Sequence, residues 1–496
     1  MCGIAGFCNF KEDFEENTDY WNFRLEKMRA VLAHRGNDAR GRFLKKHIGL
    51  SHSRLAIRDI LCGDQPMTRT HNGYDYTICY NGEIYNTDEL IPELSENGFV
   101  CSTTSDTEVI LYAYIHWGAD FVNRLNGIFA FAIWDAAKSR LLLYRDRVGV
   151  KPLFYAIRGD SLVFGSEPKA CFAHPAVKPE LDKQGLQELL AIGPAHTSGL
   201  SLFKDLFEVL PGHFMIYSRD GLHDETYWEL TSREHTESYR DTVAHTRFLV
   251  EDAIKRQMVS DVPVCTFLSG GIDSSIVTAI AANYMNTRGK TLNTFSFDFK
   301  DNDRYFKANA FQPERDLPYV NRMLEEYETA HSYLECDENS LFKALFAAVD
   351  AKDMPGMTDV DSSLLYFCSL VSRKNKVALT GECADEIFGG YPWFYRKELL
   401  ERYGFPWSSD VAPRLALLRD DVSLELDLSG YQAFRYEESR SKAPLLYGET
   451  GEDESRRIIG YLNIKWFMQT LLDRMDRTSM YSELEARVPF VRPSYH

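Results

Sequence analysis

Three short stretches of this chain carry side chains whose types and spacing suit covalent or phosphate chemistry. The first is the N-terminus: with Met1 removed, Cys2 holds a thiol and a free α-amine on one residue. The thiolate is the reactive form of cysteine, and an α-amine with a pKa of roughly 7.7 to 8.0 accepts the thiol proton near neutrality, so nucleophile and base coincide. A small second residue is compatible with removal of the initiating methionine. Standing alone, a cysteine at position 2 is equally consistent with chance.

The second stretch is Ser269-Gly270-Gly271-Ile272-Asp273-Ser274-Ser275, placed where an apolar run ends and a helical pattern begins. Glycines admit close backbone approach, and serine hydroxyls, loop amides and a helix N-terminus donate to an anion, which points to phosphate. There is no lysine of the GxxxxGK[ST] kind, and Asp273 inside such a cradle calls for an intervening cation such as Mg2+. The plainer reading is a glycine-rich turn capped by Ser274. The third stretch, Gly381-Glu382-Cys383-Ala384-Asp385-Glu386-Ile387-Phe388-Gly389-Gly390-Tyr391, sets three carboxylates and three glycines after another buried-strand pattern. Helix capping or a solvated face is the alternative there.

The elements that position these residues fall into two halves. A chain of 496 residues exceeds one ordinary core, so two or three domains are expected. Short aromatic or β-branched runs at Ile4 to Phe7, Thr77 to Tyr80, Phe129 to Trp134, Leu141 to Tyr144, Leu162 to Phe164 and Phe214 to Tyr217 read as strands, with helices over Asn22 to Ala33 and Thr107 to Trp117. That is an α+β pattern of layered antiparallel sheets with helices. From Val243 onward strand and helix alternate: Val243, Phe248, Leu249, Ala253 and Ile254 recur at helical spacing, and Val264 to Leu268, Leu292 to Phe299 and Val377 to Thr380 are buried-strand runs. Between the first two of these lies a helix with Ile276, Ile280 and Tyr284 on one face and Val277 and Ala281 beside them. That half is α/β with a mainly parallel sheet. The boundaries read as 1–212, a polar connector at 213–235 marked by Pro211-Gly212 and Arg219-Asp220-Gly221, and 236–496.

Composition narrows the classes. The formal charge of −17 argues against nucleic acid or an anionic membrane as partner, while leaving room for a local basic pocket. No apolar run reaches the roughly 20 residues that span a bilayer, and Lys11, Glu12 and Asp13 interrupt any leader, so a cytoplasmic location is expected. The 10 cysteines form no CxxC pair and the 13 histidines no metal spacing, which reads as reduced thiols without structural zinc.

The second stretch resembles the pyrophosphate loop of the ATP pyrophosphatases, and the third resembles the GExxDExFGGY signature of glutamine-hydrolysing asparagine synthetases. Met1-Cys2-Gly3-Ile4, Ser51-His52-Ser53-Arg54-Leu55-Ala56-Ile57, Asn81-Gly82-Glu83-Ile84-Tyr85-Asn86 and Ser105-Asp106-Thr107-Glu108 are similar to the motifs of class II glutamine amidotransferases, in the family's order. Arg145 to Leu153, Gly165-Ser166-Glu167 and Tyr227-Trp228 extend the likeness to nearly the whole chain. The resemblance implies an N-terminal-nucleophile fold in the first domain, with Cys2 attacking the glutamine amide and Asn81 with Gly82 as oxyanion hole. It places glutamine among Arg54, Ile57, Asn81, Gly82, Glu83 and Asp106. Arg54 suits the α-carboxylate, because a guanidinium binds a carboxylate bidentately, and Asp106 the α-ammonium. It places ATP or pyrophosphate among Leu268, Ser269, Gly270, Gly271, Asp273, Ser274, Ser296 and Gly381, Mg2+ on Asp273 and Asp385, and the acid/base role on Glu382. Ammonia would then pass by an enclosed path to a β-aspartyl adenylate. Glutamine, aspartate and ATP are the implied partners, and homodimeric assembly is left open.

Two departures from the family pattern matter. Asn37 replaces a usual proline in His34-Arg35-Gly36-Asn37-Asp38, which predicts a less rigid loop. After Phe490 the family continues with Leu-Asp and a segment bearing a lysine near the phosphates. Here Arg492 occupies the aspartate position and Lys465 is the nearest lysine in sequence, so impaired synthesis is expected of the chain as written. Relatives of this architecture also amidate other carboxylates or close rings. A glutaminase with an impaired second half and a non-enzymatic sensor of glutamine or ATP are therefore carried as alternatives. Asp359 to Ser363 line the acceptor pocket in one reading and cap a core helix in the other.

Overall fold

The structure is a computed structural model that describes residues 2–308, 314–408 and 410–491. Twelve strands build the first half: β1 (Gly3–Asn9), β2 (Ala39–Lys45), β3 (Ile48–Arg54), β4 (Met67–His71), β5 (Tyr74–Ile84), β6 (Gly127–Asp135), β7 (Arg140–Arg145), β8 (Phe154–Arg158), β9 (Ser161–Gly165), β10 (Phe207–Glu208), β11 (His213–Ser218) and β12 (Gly221–Thr226). They form two antiparallel six-stranded sheets, ordered β10-β8-β9-β1-β3-β2 and β12-β11-β7-β6-β5-β4.

Each central strand is buried on both faces, so it sorts its side chains between two cores. Ile4 and Cys8 of β1 point into the space between the sheets, where they meet Cys79, Ala130, Leu141 and Leu143. Ala5 and Phe7, with the opposite parity, pack on Trp21, Leu25 and Met28 of the helix Thr18–Ala30. On the far side, Ile78, Tyr80, Phe129 and Phe131 pack on the helix Asp106–Trp117. The result is helix, sheet, sheet, helix, the layered arrangement expected of an N-terminal-nucleophile domain.

The segment 213–235 departs from its reading as a connector. β11 and β12 form a hairpin in that segment, and Phe214 to Tyr217 pair with Tyr144 to Leu141 of β7, so the sheet extends through Thr226. The turn at Asp220-Gly221 was legible, but β12 is an edge strand with exposed His223 to Thr226 and shows no apolar alternation.

The second half holds a parallel five-stranded sheet, β15-β14-β13-β16-β17, with β13 (Val264–Phe267), β14 (Leu292–Phe299), β15 (Thr329–Cys336), β16 (Val377–Leu379) and β17 (Glu485–Arg487). Helices Tyr239–Gln257 and Ile272–Asn286 cover one face, and Thr358–Val371 covers the other. In Tyr239–Gln257 only Leu249, Ala253 and Ile254 of the expected stripe are buried; Val243 and Phe248 face outward. In Ile272–Asn286 the buried face is Val277, Thr278, Ala281 and Ala282, with Ile276 exposed. From β13 the chain builds outward through β14 and β15, then returns to β16 on the other side. The strand order therefore reverses between β13 and β16, and a crevice opens at their carboxyl ends, the usual ligand position of an open α/β sheet.

Candidate functional site

The first cluster forms where β1 begins beside β5. Cys2 is buried; its amide N–H donates to Asn81 Oδ1 at 2.9 Å, and its carbonyl accepts from Arg35 Nε at 3.1 Å. Burial pushes the Cys2 thiol up from its ordinary value. Because Asn81 Oδ1 is committed to Cys2, the amide is oriented, and its Nδ2 is buried without a hydrogen-bond partner among the described residues. An unpartnered buried donor on a side chain held to the nucleophile's own residue is the kind of group an oxyanion hole uses. Gly82 continues the strand where no side chain fits: a Cβ there would lie 2.2 Å from the Ile128 carbonyl oxygen of β6.

A small cavity joins Cys2 to Arg54, Ile57, Gly82, Glu83 and Asp106, so the expected glutamine residues converge there except Asn81, which does not line it. The Arg54 fork is spent on its own loop: it donates to the carbonyls of Arg58, Asp59 and Ile60 and to Asp64 Oδ1 at 3.0 Å. Asp106 Oδ2 accepts from Tyr80 Oη at 2.9 Å and from the Ile84 amide at 3.0 Å. Burial, and then the Asp106 charge, raise Glu83 well above the usual carboxylate range. Asn37 Nδ2 donates to Glu483 Oε1 at 3.0 Å, a hydrogen bond to the second half of the chain that a proline could not make.

The second cluster lies in the crevice between β13 and β16, a cavity of about 1060 Å3. Ser269, Gly271, Asp273, Ser274, Gly381, Glu382 and Asp385 line it. The loop after β13 is held by its own hydroxyls: Ser269 Oγ and Ser274 Oγ are 2.9 Å apart, and Ser274 Oγ donates to the Gly271 carbonyl at 3.1 Å. Leu268, Gly270 and Ser296 do not line the cavity. Leu268 is buried, with its amide on Phe295 of β14, and Ser296 Oγ contacts His331 Nε2 at 2.9 Å.

After β16 the chain turns sharply. Cys383, buried and side-chain-bearing, adopts φ +74, the kind of strain that persists where the surroundings enforce it. Gly390 is required because a Cβ there would fall 1.8 Å from Asp385 Oδ1. Carboxylates crowd the turn. Burial and then the neighbouring Asp385 push Asp273 up to about 6; burial and then Glu382 raise Asp385. Burial pushes Glu386 up to about 7, and its Oε1 accepts from Tyr391 Oη at 2.5 Å. Asp273 and Asp385 are the paired carboxylates such crowding would offer a divalent cation, although no group of three or more His, Cys, Asp or Glu among the described residues is placed to hold a metal.

The residue that sequence reasoning missed is Arg474, on the helix Met468–Met480. Among the described residues it is the one Lys or Arg lining this cavity, and its Nη2 donates to Glu382 Oε1 at 3.1 Å. Its only signal was position: Asp473-Arg474-Met475-Asp476-Arg477 reads as a solvated charge run. Lys465 lines a different cavity, and Arg492 lies outside the described residues. The stretch Asp359 to Ser363 contributes only Val360 to the wall, together with Met357, Leu364 and Phe367 of the same segment. Asp361 turns away, its Oδ2 accepting from Lys352 Nζ at 3.3 Å and from the Met357 amide at 3.0 Å.

Comparison with known proteins adds an independent finding. Residues 1–228 match the family model described as a glutamine amidotransferase domain, and residues 245–493 match that described as asparagine synthase. Over 491 residues the chain is 48% identical to asparagine synthetase [glutamine-hydrolyzing] 3 of Bacillus subtilis (strain 168), covering 99% of this chain and 79% of that protein. It is 29% identical to asparagine synthetase [glutamine-hydrolyzing] 1 of the same organism, with 99% and 79% covered. It is 30% identical to amidase chyE of Penicillium rubens (strain ATCC 28089 / DSM 1075 / NRRL 1951 / Wisconsin 54-1255), with 94% and 68% covered.

Proposed function

The chain belongs to the glutamine-hydrolysing asparagine synthetase family, and from that premise we propose that it makes asparagine from aspartate, glutamine and ATP at the two clusters described. The observation that carries the reading is the contact of the Cys2 backbone N–H with Asn81 Oδ1 at 2.9 Å, which leaves the buried Asn81 Nδ2 without a partner among the described residues.

In the first half-reaction the freed α-amine of Cys2 takes the thiol proton and Sγ attacks the side-chain carbonyl carbon of glutamine. Asn81 Nδ2, with the Gly82 amide, receives the oxyanion. Collapse expels ammonia, which carries away the proton held by the amine, and water then cleaves the thioester to give glutamate. Arg54 takes the α-carboxylate once its fork exchanges the loop carbonyls for substrate, and Asp106 pairs with the α-ammonium.

In the second, a β-carboxylate oxygen of aspartate attacks the α-phosphorus of ATP and pyrophosphate leaves into the Ser269 loop. Bound Mg2+, held by Asp273 and Asp385, would supply charge neutralisation at the phosphates. Arg474 adds a fixed positive charge beside Glu382. Ammonia attacks the acyl carbon of the adenylate, Glu382 takes its proton, and AMP leaves. Leu55, Ile57, Val148 and Val150 of the first domain share one apolar cluster with Leu379, Met468, Leu472 and Val488 of the second. A dry seam of this kind suits passage of ammonia, which water would protonate and silence.

The test is Cys2→Ala. Glutamine-dependent synthesis should vanish while ammonium-dependent synthesis continues with AMP and pyrophosphate as products; ADP and orthophosphate would reject the reading.

A further inference from the structure

Outside both clusters one concave site has no part in this chemistry. It is a cavity of about 440 Å3 between the segment Thr197 to His213 of the first domain and, from the second, the helix Leu428–Ser441 and the stretch Tyr461 to Trp466. Its lining carries Arg435, Lys442 and Lys465 against a single carboxylate, Glu438. In a chain of net charge −17, such a local excess of cations is informative.

These cations are not equivalent. Arg435 donates to Tyr431 Oη at 3.1 Å and to Glu438 at 2.9 Å, and Lys442 donates to Glu438 at 3.0 Å, so both are committed. Lys465 makes no hydrogen bond or ion pair with any described residue, although most of its side chain is covered. Burial lowers its pKa, and only the more distant Glu229 offsets this. A desolvated ammonium without a partner is costly to keep. Hydroxyls line the same cavity: Ser439 Oγ accepts from Trp466 Nε1 at 3.0 Å, which leaves its proton free to donate, and Ser198 is a further lining residue. Leu200, Leu210 and Trp466 supply an apolar wall.

We propose that this cavity binds a small organic anion, with its carboxylate or phosphate on Lys465 and Ser439 and its apolar body against Leu200, Leu210 and Trp466. Because the site is built from both domains, its occupant bridges them. Lys465 belongs to neither reaction centre.

The test is calorimetric titration of the full chain with inorganic phosphate and, separately, succinate. One binding event for at least one anion should weaken about tenfold or more in Lys465→Met, the loss of a charge-assisted hydrogen bond, and persist in Lys465→Arg. The Ser269 loop is itself a phosphate cradle, so the same event should survive Ser269→Ala. Loss of phosphate alone assigns a phosphoryl head group, and loss of succinate alone a carboxylate. Basal glutamine hydrolysis should not change in Lys465→Met. In the unsubstituted protein, either bound anion should slow acetylation of Lys465 read by peptide mass, a measurement that does not depend on a variant folding. No binding by the parent protein, affinity for both anions unchanged in Lys465→Met, or no protection of Lys465 overturns the proposal.

Discussion

Arg35 Nη2 meets Asp476 Oδ2 at 2.8 Å across 441 residues of sequence, and neither side chain is exposed. Arg35 also holds the Cys2 carbonyl through Nε and Glu167 Oε1 through Nη1 at 2.8 Å. Asp476 holds Lys151 Nζ at 2.9 Å. Two residues before Asp476, the same helix carries Arg474 to Glu382. One rigid helix therefore touches a residue that braces the nucleophile and a residue that faces the ATP cavity.

Removing one partner from this buried set should cost more than the pair itself contributes. Asp476→Ala leaves Lys151 buried without its carboxylate and Arg35 with Glu167 alone, and a loss of about 3 to 5 kcal/mol is expected, read as a lowered midpoint of urea unfolding. Glutamine hydrolysis should fall with it, because Arg35, which holds the Cys2 carbonyl, loses one of its two carboxylate anchors. Unchanged stability would show that water replaces the carboxylate.

Asn81→Asp separates two roles of one side chain. The acceptor for the Cys2 N–H survives and the Nδ2 donor is lost, so glutamine hydrolysis should drop by about a hundredfold to a thousandfold. Ammonium-dependent synthesis, which does not use this donor, should persist. Equal loss of both activities would indicate a structural role only.

Cys2, Asn81, Asp106 and the Ser269 loop were legible because each motif is local: a few consecutive residues at a strand end carry both the turn and the chemistry. Arg474 and the Arg35–Asp476 pair were not, because their partners come from distant sequence and a buried ion network has the composition of a solvated helix face. The wall of the second cavity shows the same limit at shorter range. In Met357 to Phe367 the cavity takes Val360, Leu364 and Phe367 at helical spacing, while Asp361 and Ser362 turn to Lys352 and to the Thr358 carbonyl. Asp361 and Ser362 thus follow the helix-capping alternative and not the pocket-lining one. In the parallel sheet β13, β14 and β16 were readable from their apolar runs, whereas β15 and β17, like the β12 edge, lack such a run.

Arg474→Met should lower pyrophosphate release by roughly a hundredfold or more, the usual cost of losing one preorganised charge at a phosphoryl centre. Arg474→Lys should recover part of the rate by restoring charge without the fork. Glutamine hydrolysis at Cys2 should be spared. Unaltered pyrophosphate release in Arg474→Met would confine this residue to holding Glu382.

The last prediction concerns acid stability and follows from Glu208. Burial would raise this carboxyl, but Arg145 at 2.8 Å and His196 at 3.0 Å, both in contact with it, hold it at about 2. A depressed carboxyl contributes stability that is complete above its unfolded pKa, near 4.5, and is lost as pH falls towards 2. The size implied is about 3 kcal/mol, from 1.36 kcal/mol per unit. His196 has the opposite sign: its pKa is raised by Glu208, so its contribution is complete below about 6.5 and fades as pH rises through the raised value. Glu208→Gln should therefore flatten the unfolding midpoint against pH at both ends, below 4.5 and above 6.5. It should also lower the plateau between them, since Arg145 is left buried without its counter-charge, on neutral acceptors such as the carbonyls of Gly149, Lys151 and Val209. Denaturant unfolding from pH 3 to 8 measures both limbs, and a variant whose pH profile parallels that of the parent would show that Glu208 is not the titrating group.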